Sequence, residues 1–254
     1  MSYRNHSVVA IIPARGGSKS IPRKNIKLLG NAPLIAYSIA AAQESKWIDR
    51  IIVSTDDDEI AAAALEWGAE VPFRRPTEFA QDKSLDFPVF EHAIQWLAQE
   101  ENFHPEVIVQ LRPTSPFRPK GLVDRSIELL IDNEADSVRT ITPSGQNPYK
   151  MWRIQEDGRL QPLLDSPFEE PYNMPRQALP PTFWQTGHID SMRRSTILEQ
   201  RSMTGQHIHS LPVEAAYAVD LDTLEHWTYA NFLIEHRNWD IVRPIPSSSN
   251  HASI

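Results

Sequence analysis

In the first half of the chain, short apolar segments alternate with amphipathic segments of helical periodicity. The apolar segments are typical of buried strands and occupy residues 8–13, 51–53 and 107–111; the helical segments occupy residues 33–43, 57–67, 87–100 and 122–131. Strands that alternate with helices pair in parallel through right-handed crossovers, which cover both faces of the sheet. The sequence therefore predicts a doubly wound, mostly parallel α/β sheet, with ligands bound beyond the carboxyl ends of its strands.

The second half of the chain contains a proline-rich segment. Eight of the 21 prolines lie between residues 142 and 182, at positions 143, 148, 162, 167, 171, 175, 180 and 181. Because proline cannot donate in a sheet ladder, we expect an irregular excursion over about residues 142–190. Strands are predicted at 208–213 and 216–221, and a helix at 223–236. We thus expect one domain over residues 1–242, and a tail over residues 243–254.

Composition excludes several classes of protein. The 254 residues include no cysteine and carry a net charge of -8. Disulfides and thiolate metal sites are therefore excluded, and the chain has no overall positive charge to bind nucleic acid. No apolar run approaches the roughly twenty residues that span a bilayer. We expect a cytoplasmic protein without nucleic-acid or membrane partners.

A basic loop follows the first predicted strand. Between Arg15 and Lys27 there are five cations and no acid. The loop matches neither the Walker spacing nor the dinucleotide G-x-G-x-x-G pattern, and a solvated basic turn is the alternative. Its position favours phosphate binding, because sheets of this class receive phosphates directly after the first strand. The predicted nucleotide-binding residues of the loop are Ala14, Arg15, Gly16, Gly17, Ser18, Lys19, Lys24 and Asn25.

The residue types of the basic loop suggest individual roles. Arg15 and Lys24 are the predicted catalytic phosphate clamp, since arginine grips phosphate oxygens in a bidentate manner and lysine acts as a point charge. Ser18 and Lys19 support them, Gly16 and Gly17 allow close backbone approach, and Asn25 is predicted to bind the ribose or the base edge.

Two carboxylates directly before the predicted helix at 223–236 suggest a metal site. Asp220 and Asp222 lie two residues apart, so in an extended segment both side chains point to one face, as a Mg²⁺ site requires. The alternative is a strand end that leads into a helix, with Asp222 as its cap. Spacing alone favours this alternative; taken together with the motifs upstream in the chain, both residues are predicted to bind Mg²⁺ and to be catalytic.

Further polar residues follow the third predicted strand or lie in the excursion. Cations there suit the carboxylate of a substrate, although Arg176 could equally be a surface side chain. The predicted substrate-binding residues from these two segments are Arg112, Thr114, Ser115, Lys150 and Arg176. Arg75 and Asp86 are predicted to face the nucleotide, with a loop cation and a helix cap as their alternatives.

Two other polar clusters are predicted to be structural. Asp56, Asp57 and Asp58 stand at a helix start, where carboxylates complement the helix dipole. His207 and His209 have strand spacing but no third ligand in sequence.

Several motifs together resemble the acylneuraminate cytidylyltransferase family. They are Ala14-Arg-Gly-Gly-Ser-Lys19-x-x-Pro22-x-Lys24-Asn25, Arg75-Pro-Thr-Glu-Phe-Ala-Gln-Asp82, Arg112-Pro-Thr-Ser-Pro-Phe-Arg118, Pro148-Tyr-Lys150, Arg176-Gln177-x-Leu179-Pro180 and Asp220-Leu-Asp222. The likeness implies an α/β nucleotidyltransferase fold and Mg²⁺-dependent transfer of CMP from CTP to an acidic sugar. It also implies a homodimer in which the excursion helps to close the partner's active site, and substrate contacts from Gln177 and Gly187.

The segment 185–190 departs from the family pattern. The family has an Asn-Gly-Ala-Ile-Tyr-like sequence there, whereas this chain keeps Gly187 and has Thr186, His188 and Asp190 at the other positions. We predict that Asp190 contacts polar groups of the acceptor, and that N-acetylneuraminate is a poorer acceptor than a more hydroxylated or amino-substituted relative. The alternatives are a transferase for an eight-carbon ulosonate or a phosphonate, an enzyme that uses another nucleotide, and a non-catalytic sugar-nucleotide-binding protein.

Overall fold

The structure is a computed structural model that describes residues 3–245. Its strands, numbered along the chain, are β1 Val8–Pro13, β2 Leu28–Leu29, β3 Ala32–Pro33, β4 Arg50–Ser54, β5 Val107–Gln110, β6 Ser137–Pro143, β7 Trp152–Ile154, β8 Leu160–Pro162, β9 Phe183–Arg193 and β10 Ile208–Pro212. The α-helices are α1 Leu34–Glu44, α2 Asp58–Glu66, α3 Asp86–Glu101, α4 Leu122–Asp132, α5 Arg194–Leu198 and α6 Leu224–His236.

Six strands form the main sheet in the order β10-β6-β9-β5-β1-β4. The pairs β1/β4, β1/β5 and β6/β10 are parallel, and β9 runs antiparallel to both of its neighbours, β5 and β6. The predicted mostly parallel α/β sheet is therefore confirmed, with one antiparallel strand inserted between two parallel groups.

The core lies on both faces of this sheet. In β1, Val8, Ala10 and Ile12 pack into a cluster with α1, α2 and α4, whereas Val9 and Ile11 pack into a second cluster with α3 and α5. All five side chains are fully buried, because a central strand with helices on both faces has no solvent side. A third cluster packs α6 against the β2–β3 hairpin and α1.

The predicted helices all begin and end within one residue of the observed ones, but strand β9 was not predicted. The irregular excursion is shorter than expected, since residues 183–190 belong to β9 and the irregular part covers residues 144–182. The sequence of β9 lacks apolar alternation because several of its buried residues are polar. The predicted strand at 216–221 is wrong, since this segment forms a turn and a loop.

The start of α2 follows the predicted capping pattern. Asp57 is the N-cap residue, its side chain accepts a hydrogen bond from the Ile60 amide at 2.9 Å, and Asp58 lies in the first turn. The start of α3 does not: its N-cap residue is Leu85, without a side-chain cap, and Asp86 is the first helical residue. Asp86 is therefore not the helix cap, and its carboxylate is directed elsewhere.

The excursion (residues 144–182) has little core of its own. It contains the β7–β8 hairpin, whose six residues are all exposed, and several short 3-10 helices. Large apolar side chains of this region and of the adjoining β9 start are exposed: Met151, Trp152, Ile154, Leu160, Leu164, Phe183 and Trp184. Among residues 3–245, no helix has the length and apolar character needed to cross a membrane. Most of the predicted tail, residues 246–254, lies outside the described residues.

Candidate active site

A cleft of about 440 Å³ opens at the carboxyl ends of β1, β4 and β5. This is the edge at which an open α/β sheet binds ligands. Ten of the predicted site residues line the cleft: Arg15, Ser18, Lys19, Lys24, Asn25, Arg75, Asp86, Arg112, Thr114 and Asp222. They come from four segments that are distant in the sequence.

The basic loop (residues 14–27) is bound to the carboxyl end of the sheet. The Ala14 amide donates to the carbonyl of Ser54 at 3.0 Å, which extends the β1/β4 ladder by one residue. The Asn25 side chain closes the loop by donating from Nδ2 to the carbonyl of Arg15 at 3.0 Å. Both contacts fix the backbone, so the loop is shaped before any ligand binds.

The two glycines of the loop differ in their surroundings. A Cβ on Gly16 would lie 2.7 Å from the Asp57 carboxylate, so only glycine fits beside this helix cap. The Gly16 amide already donates to Asp56 at 2.9 Å. Gly17 has open space around it. The predicted amide contact with a ligand therefore requires Gly16 to exchange its partner, whereas Gly17 meets no such obstacle.

Three of the five loop cations face the cleft. Arg15 Nη1 lies 3.0 Å from Asp82 Oδ1, and Lys19 pairs with the other oxygen of the same carboxylate. These contacts hold the pKa of Asp82 below its usual range, with Lys19 the largest cause. Lys24 is 9% exposed, and its Nζ donates to the carbonyl of Leu221 at 2.8 Å.

The other two cations of the loop have structural contacts. Arg23 forms two hydrogen bonds with Asp57, of 2.6 and 3.2 Å, and an ion pair with Glu59, which join the loop to the start of α2. Lys27 lies over the ring of Trp227, 5.6 Å from its centroid. The charge run therefore divides between cleft-facing and structural cations, and the three that face the cleft are those predicted to be in the site.

The Asp220–Asp222 segment lies beside the basic loop. The amide of Leu221 donates to the carbonyl of Thr114 at 2.9 Å, and Asp222 Oδ1 lies 3.3 Å from Lys24 Nζ. Ser115 Oγ is 3.5 Å from Asp220 Oδ1. Burial raises the pKa of Asp220, a hydrogen bond from Thr114 opposes the rise, and the nearby Asp222 charge adds to it.

The alternative role of Asp222 as a helix cap is wrong. The N-cap residue of α6 is Thr223, whose side chain accepts from the His226 amide at 3.3 Å. In the described part of the chain no three His, Asp or Glu side chains converge on a possible metal position. Two adjacent carboxylates still fit Mg²⁺, because this ion commonly takes one or two carboxylates and completes its shell with water and phosphate oxygens.

Arg75 lines the cleft from beneath. It is 6% exposed, and its Nε donates to Ser54 Oγ at 3.1 Å. Burial lowers the pKa of Arg75 to about 10, while the charges of Asp56 and Asp86 oppose the shift. The side chain therefore remains a cation at neutral pH, and no carboxylate among residues 3–245 forms an ion pair with it.

Arg112 and Asp86 form an ion pair at the far side of the cleft. Arg112 Nη2 lies 2.7 Å from Asp86 Oδ2, and Gln110 Nε2 donates to the same oxygen at 3.1 Å. Gly187 allows β9 to pass close behind, since a Cβ there would lie 2.4 Å from Ser115 Oγ and 3.2 Å from the Arg112 Cδ. Gly187 is thus a close-packing position that is only partly exposed.

Asp190 lies below the cleft instead of at its surface. It is 1% exposed, so the predicted direct contact with a substrate is wrong in this structure. Its partners are Arg139 at 2.8 Å and Arg112 at 3.6 Å. His188, the other departure from the family pattern, bonds Thr186 and the carbonyl of Tyr217 and does not touch Asp190.

The predicted substrate residues of the excursion lie apart from the cleft. Lys150 Nζ donates to the carbonyl of Tyr172 at 3.1 Å, and Arg176 Nη2 donates to the carbonyl of Ser144 at 2.6 Å. Arg176 and Gln177 line a separate cavity of about 540 Å³. Within this chain the structure does not bring these three residues to the other predicted site residues.

Two buried arginines were not predicted. Arg118 is fully buried and donates to the carbonyls of His188 at 2.8 Å and Arg112 at 2.7 Å, which fixes the strand-end loop around the cleft. Burial lowers the pKa of Arg118 to about 9. Arg139 lies in β6 and pairs with Asp190. The sequence signal for Arg118 was its place in the Arg112–Arg118 motif, whereas nothing local distinguishes Arg139 from a surface arginine.

The fold and the cleft together define a class of protein. A mostly parallel sheet with a cation-rich loop after its first strand, and a carboxylate pair beside that loop, is an α/β nucleotidyltransferase-type fold. The structure of CMP:2-keto-3-deoxy-manno-octonic acid synthetase complexed with CTP superposes with a TM-score of 0.67 and 16% identity, covering 90% of this chain and 98% of that one. At this identity the likeness supports the fold alone.

Sequence comparison then gives the family. The profile of the family described as Cytidylyltransferase matches residues 9–156. The chain is 30% identical to the post-translational flagellin modification protein B of Campylobacter coli, and 31% identical to the CMP-N,N'-diacetyllegionaminic acid synthase of Campylobacter jejuni. Each comparison covers 91% of this chain and 96% of the relative. The chain belongs to the cytidylyltransferase family of nucleotidyltransferase enzymes.

Proposed function

We propose that this enzyme transfers CMP from CTP to an acidic sugar of the nonulosonate class and releases pyrophosphate. The observation that carries the proposal is the contact of Lys24 with Leu221 and Asp222, which lie 197 and 198 residues away in sequence. This contact supports a site in which the basic loop, the proposed phosphate clamp, lies against the Asp220–Asp222 segment, of which Asp222 lines the cleft. Relatives at 31 and 29% identity are named CMP-N,N'-diacetyllegionaminic acid synthase and pseudaminic acid cytidylyltransferase, which supports the acceptor class.

The cleft residues divide the work of nucleotidyl transfer. A sugar hydroxyl attacks the α-phosphorus of CTP, the bond to the pyrophosphate oxygen breaks, and the hydroxyl proton is released. Arg15, Lys19 and Lys24 would hold the triphosphate and stabilise the charge that grows on the leaving pyrophosphate. Arg15 and Lys19 form ion pairs with Asp82 in the structure, and phosphate oxygens would replace this carboxylate as their partner when CTP binds.

We further propose that Asp220 and Asp222 hold Mg²⁺. When bound there, the ion would neutralise charge on the nucleotide phosphates. Lys24 lies close enough to Asp222 to keep the carboxylate oriented when the ion is absent. Because two carboxylates supply only part of an octahedral shell, we expect the affinity for Mg²⁺ to rise when CTP is present.

The proposal also includes a homodimer in the cytoplasm. The exposed apolar side chains of the excursion are suited to pack against a second copy of the chain. Lys150 and Arg176 lie in the same segment and would then reach the cleft of that copy. A cysteine-free chain is consistent with a reducing compartment.

The test is pyrophosphate release from CTP and Mg²⁺ with a panel of acidic sugars. The panel contains N-acetylneuraminate, diamino nonulosonates and an eight-carbon ulosonate, each also assayed with UTP. We expect turnover with a nonulosonate and CTP. Asp222→Asn should lower it by about a hundredfold or more, because an amide supplies no anionic charge to the metal. Asp58→Asn, which alters a side chain 92% exposed, is the matched control.

Each other result of the panel favours a different alternative. Turnover only with the eight-carbon sugar would identify the acceptor as an ulosonate of that length. Turnover only with UTP would show that the enzyme uses another nucleotide. Tight CTP binding without pyrophosphate release from any acceptor would favour a non-catalytic binding protein. Full activity of Asp222→Asn at low Mg²⁺ would refute the metal site.

A further inference from the structure

A row of polar side chains crosses the centre of the sheet. Gln110 on β5, Asp190 on β9 and Arg139 on β6 stand directly opposite one another in the strand register. Residues that are opposite in neighbouring strands project to the same face, so their side chains are adjacent. Gln110 and Asp190 are each 1% exposed, and the Arg139 side chain is 12% exposed. This row replaces apolar core with charge, which costs stability unless every charge is paired.

The row leads to the cleft through Arg112. Asp190 Oδ2 forms an ion pair with Arg139 Nη1 at 2.8 Å and lies 3.6 Å from Arg112 Nη2. That same nitrogen of Arg112 bonds Asp86 at 2.7 Å. Arg112 is therefore held between a buried carboxylate below and a partly exposed one beside it. Among residues 3–245, Arg112 Nε and Nη1 have no hydrogen-bond partner.

The far end of the row is anchored. Arg139 Nη2 donates to the carbonyl of Met203 at 2.7 Å and to Thr204 Oγ1 at 2.8 Å. Asp190 also accepts from Gln185 Nε2 at 3.3 Å. The carboxylate of Asp190 is thus held by Arg139 and Gln185, and neither contact depends on Arg112. Asp190 can therefore orient the Arg112 side chain.

We propose that Asp190 is a positioning residue that orients Arg112 to bind the anionic acceptor, and so determines acceptor affinity without touching the acceptor. The inference rests on the proposed function for its substrate, and on the buried row for its geometry. The charges of the two arginines, Arg112 and Arg139, are balanced by those of the two carboxylates that contact them, on Asp86 and Asp190. An acceptor carboxylate that binds the free side of Arg112 therefore adds one uncompensated negative charge. Orientation of the free Nε and Nη1 then decides how well that charge is bound.

The kinetic test compares four variants with the wild type: Asp190→Asn, Arg139→Gln/Asp190→Asn, Arg112→Gln and Arg112→Gln/Asp190→Asn. Asp190→Asn should raise KM for the acceptor by about tenfold or more and leave KM for CTP within about twofold. It also leaves Arg139 buried without a counter-charge. The Arg139→Gln/Asp190→Asn variant removes both charges and keeps hydrogen-bonding groups, so it should fold even if the single variant does not.

The variants separate positioning from a structural role. If Asp190 only compensates Arg139, the Arg139→Gln/Asp190→Asn variant regains the wild-type acceptor KM, and the proposal is overturned. If Asp190 positions Arg112, that variant keeps the raised KM. In the Arg112→Gln background, Asp190→Asn should add nothing to the acceptor KM, and additive effects would also overturn the proposal.

A measurement that needs no turnover keeps this inference distinct from the proposed function. The side-chain ¹⁵N–¹H signal of Arg112, assigned by its loss in Arg112→Gln, should be sharp in the wild type and broadened in Asp190→Asn and in Arg139→Gln/Asp190→Asn. An unchanged Arg112 signal refutes the positioning role whatever the enzyme catalyses. A changed signal with no turnover on any acidic sugar supports the positioning role and refutes the proposed acceptor class.

Discussion

The basic loop and the excursion both carry cations that were predicted to bind anions, yet the fold treats them differently. In the basic loop, Arg15 and Lys24 contact groups contributed by distant segments, the Asp82 carboxylate and the Leu221 carbonyl. In the excursion, Lys150 and Arg176 donate to backbone carbonyls within or beside the same irregular region.

The difference separates the predicted site residues that this chain brings to one cleft from those that it does not. The basic loop is fixed by the carboxyl ends of buried strands, so its cations are oriented before a ligand binds. The excursion exposes apolar side chains and carries its cations on short elements with little core. Exposed apolar side chains of this kind are suited to pack against another surface, as the proposed homodimer requires. The predictions below test this contrast, in order of decreasing effect on turnover.

The largest effect is expected from the basic loop. Lys24→Met keeps most of the side-chain volume but removes the charge beside Asp222, and should lower kcat/KM by about a hundredfold or more. Lys27→Met is the matched control, because Lys27 lies over Trp227 outside the cleft. Steady-state pyrophosphate release measures both. A loss below about tenfold for Lys24→Met would remove this lysine from the phosphate clamp.

A smaller loss is expected when the excursion loses its apolar surface. Trp152→Ser combined with Ile154→Ser changes two exposed side chains of the β7–β8 hairpin, so the melting temperature should change little. If a second copy covers this hairpin, the variant should shift from dimer to monomer and lose about tenfold in turnover at equal concentration. Sedimentation velocity measures the first effect. Leu65→Ser, another exposed apolar position, is the control.

Mixing two variants tests whether the excursion acts in the partner's cleft. Arg176→Ala and Asp222→Asn would each damage a different half of a shared site. Random exchange of subunits should then restore about a quarter of the wild-type turnover, because half of the dimers are mixed and each has one intact site. No gain over the separate variants would place Arg176 outside the partner's site.

The last prediction concerns the boundary between the two regions and the stability of the protein, and no change in turnover is expected at pH 7. β9 leaves the excursion as an exposed strand and becomes buried at Thr186 and His188. Burial lowers the pKa of His188 to about 4, with the charge of Arg118 as a second cause. In the unfolded chain His188 therefore binds a proton below about pH 6.5, whereas in the folded protein it binds this proton only below about pH 4.

This proton linkage has a defined sign. The free energy of unfolding should fall as pH drops from about 6.5 to 4, by about 3 kcal/mol in total from His188, and level off below that. Urea titrations at several pH values measure it. In His188→Gln that part of the pH dependence should be lost, whereas His207→Gln, at an exposed position, should retain it. If the free energy of unfolding depends on pH equally in all three proteins, then the pKa of His188 is not lowered in the folded protein.

Much of the fold and part of the site followed from the sequence alone. Apolar runs and helical periodicity gave the sheet class and the helix positions, and Asp57 was identified as part of a helix start. The loop after β1 was found from charge contrast, and the Asp220–Asp222 pair from its spacing together with the family motifs upstream. These features are encoded within short windows, because backbone propensity, capping and strand burial each depend on a few neighbouring residues.

Only the tertiary structure decided which charges work together. It set Lys24 against Asp222, gave Arg23 and Lys27 structural partners, and inserted β9 at the sheet centre with Asp190 buried between two arginines. Strand pairing determines these contacts, and it joins residues that no sequence window contains. An aspartate at a loop surface, such as Asp222, can face a ligand, whereas an aspartate inside the sheet, such as Asp190, is proposed to position another side chain. Burial and the opposing strand, and not the residue type, decide which groups its charge can reach.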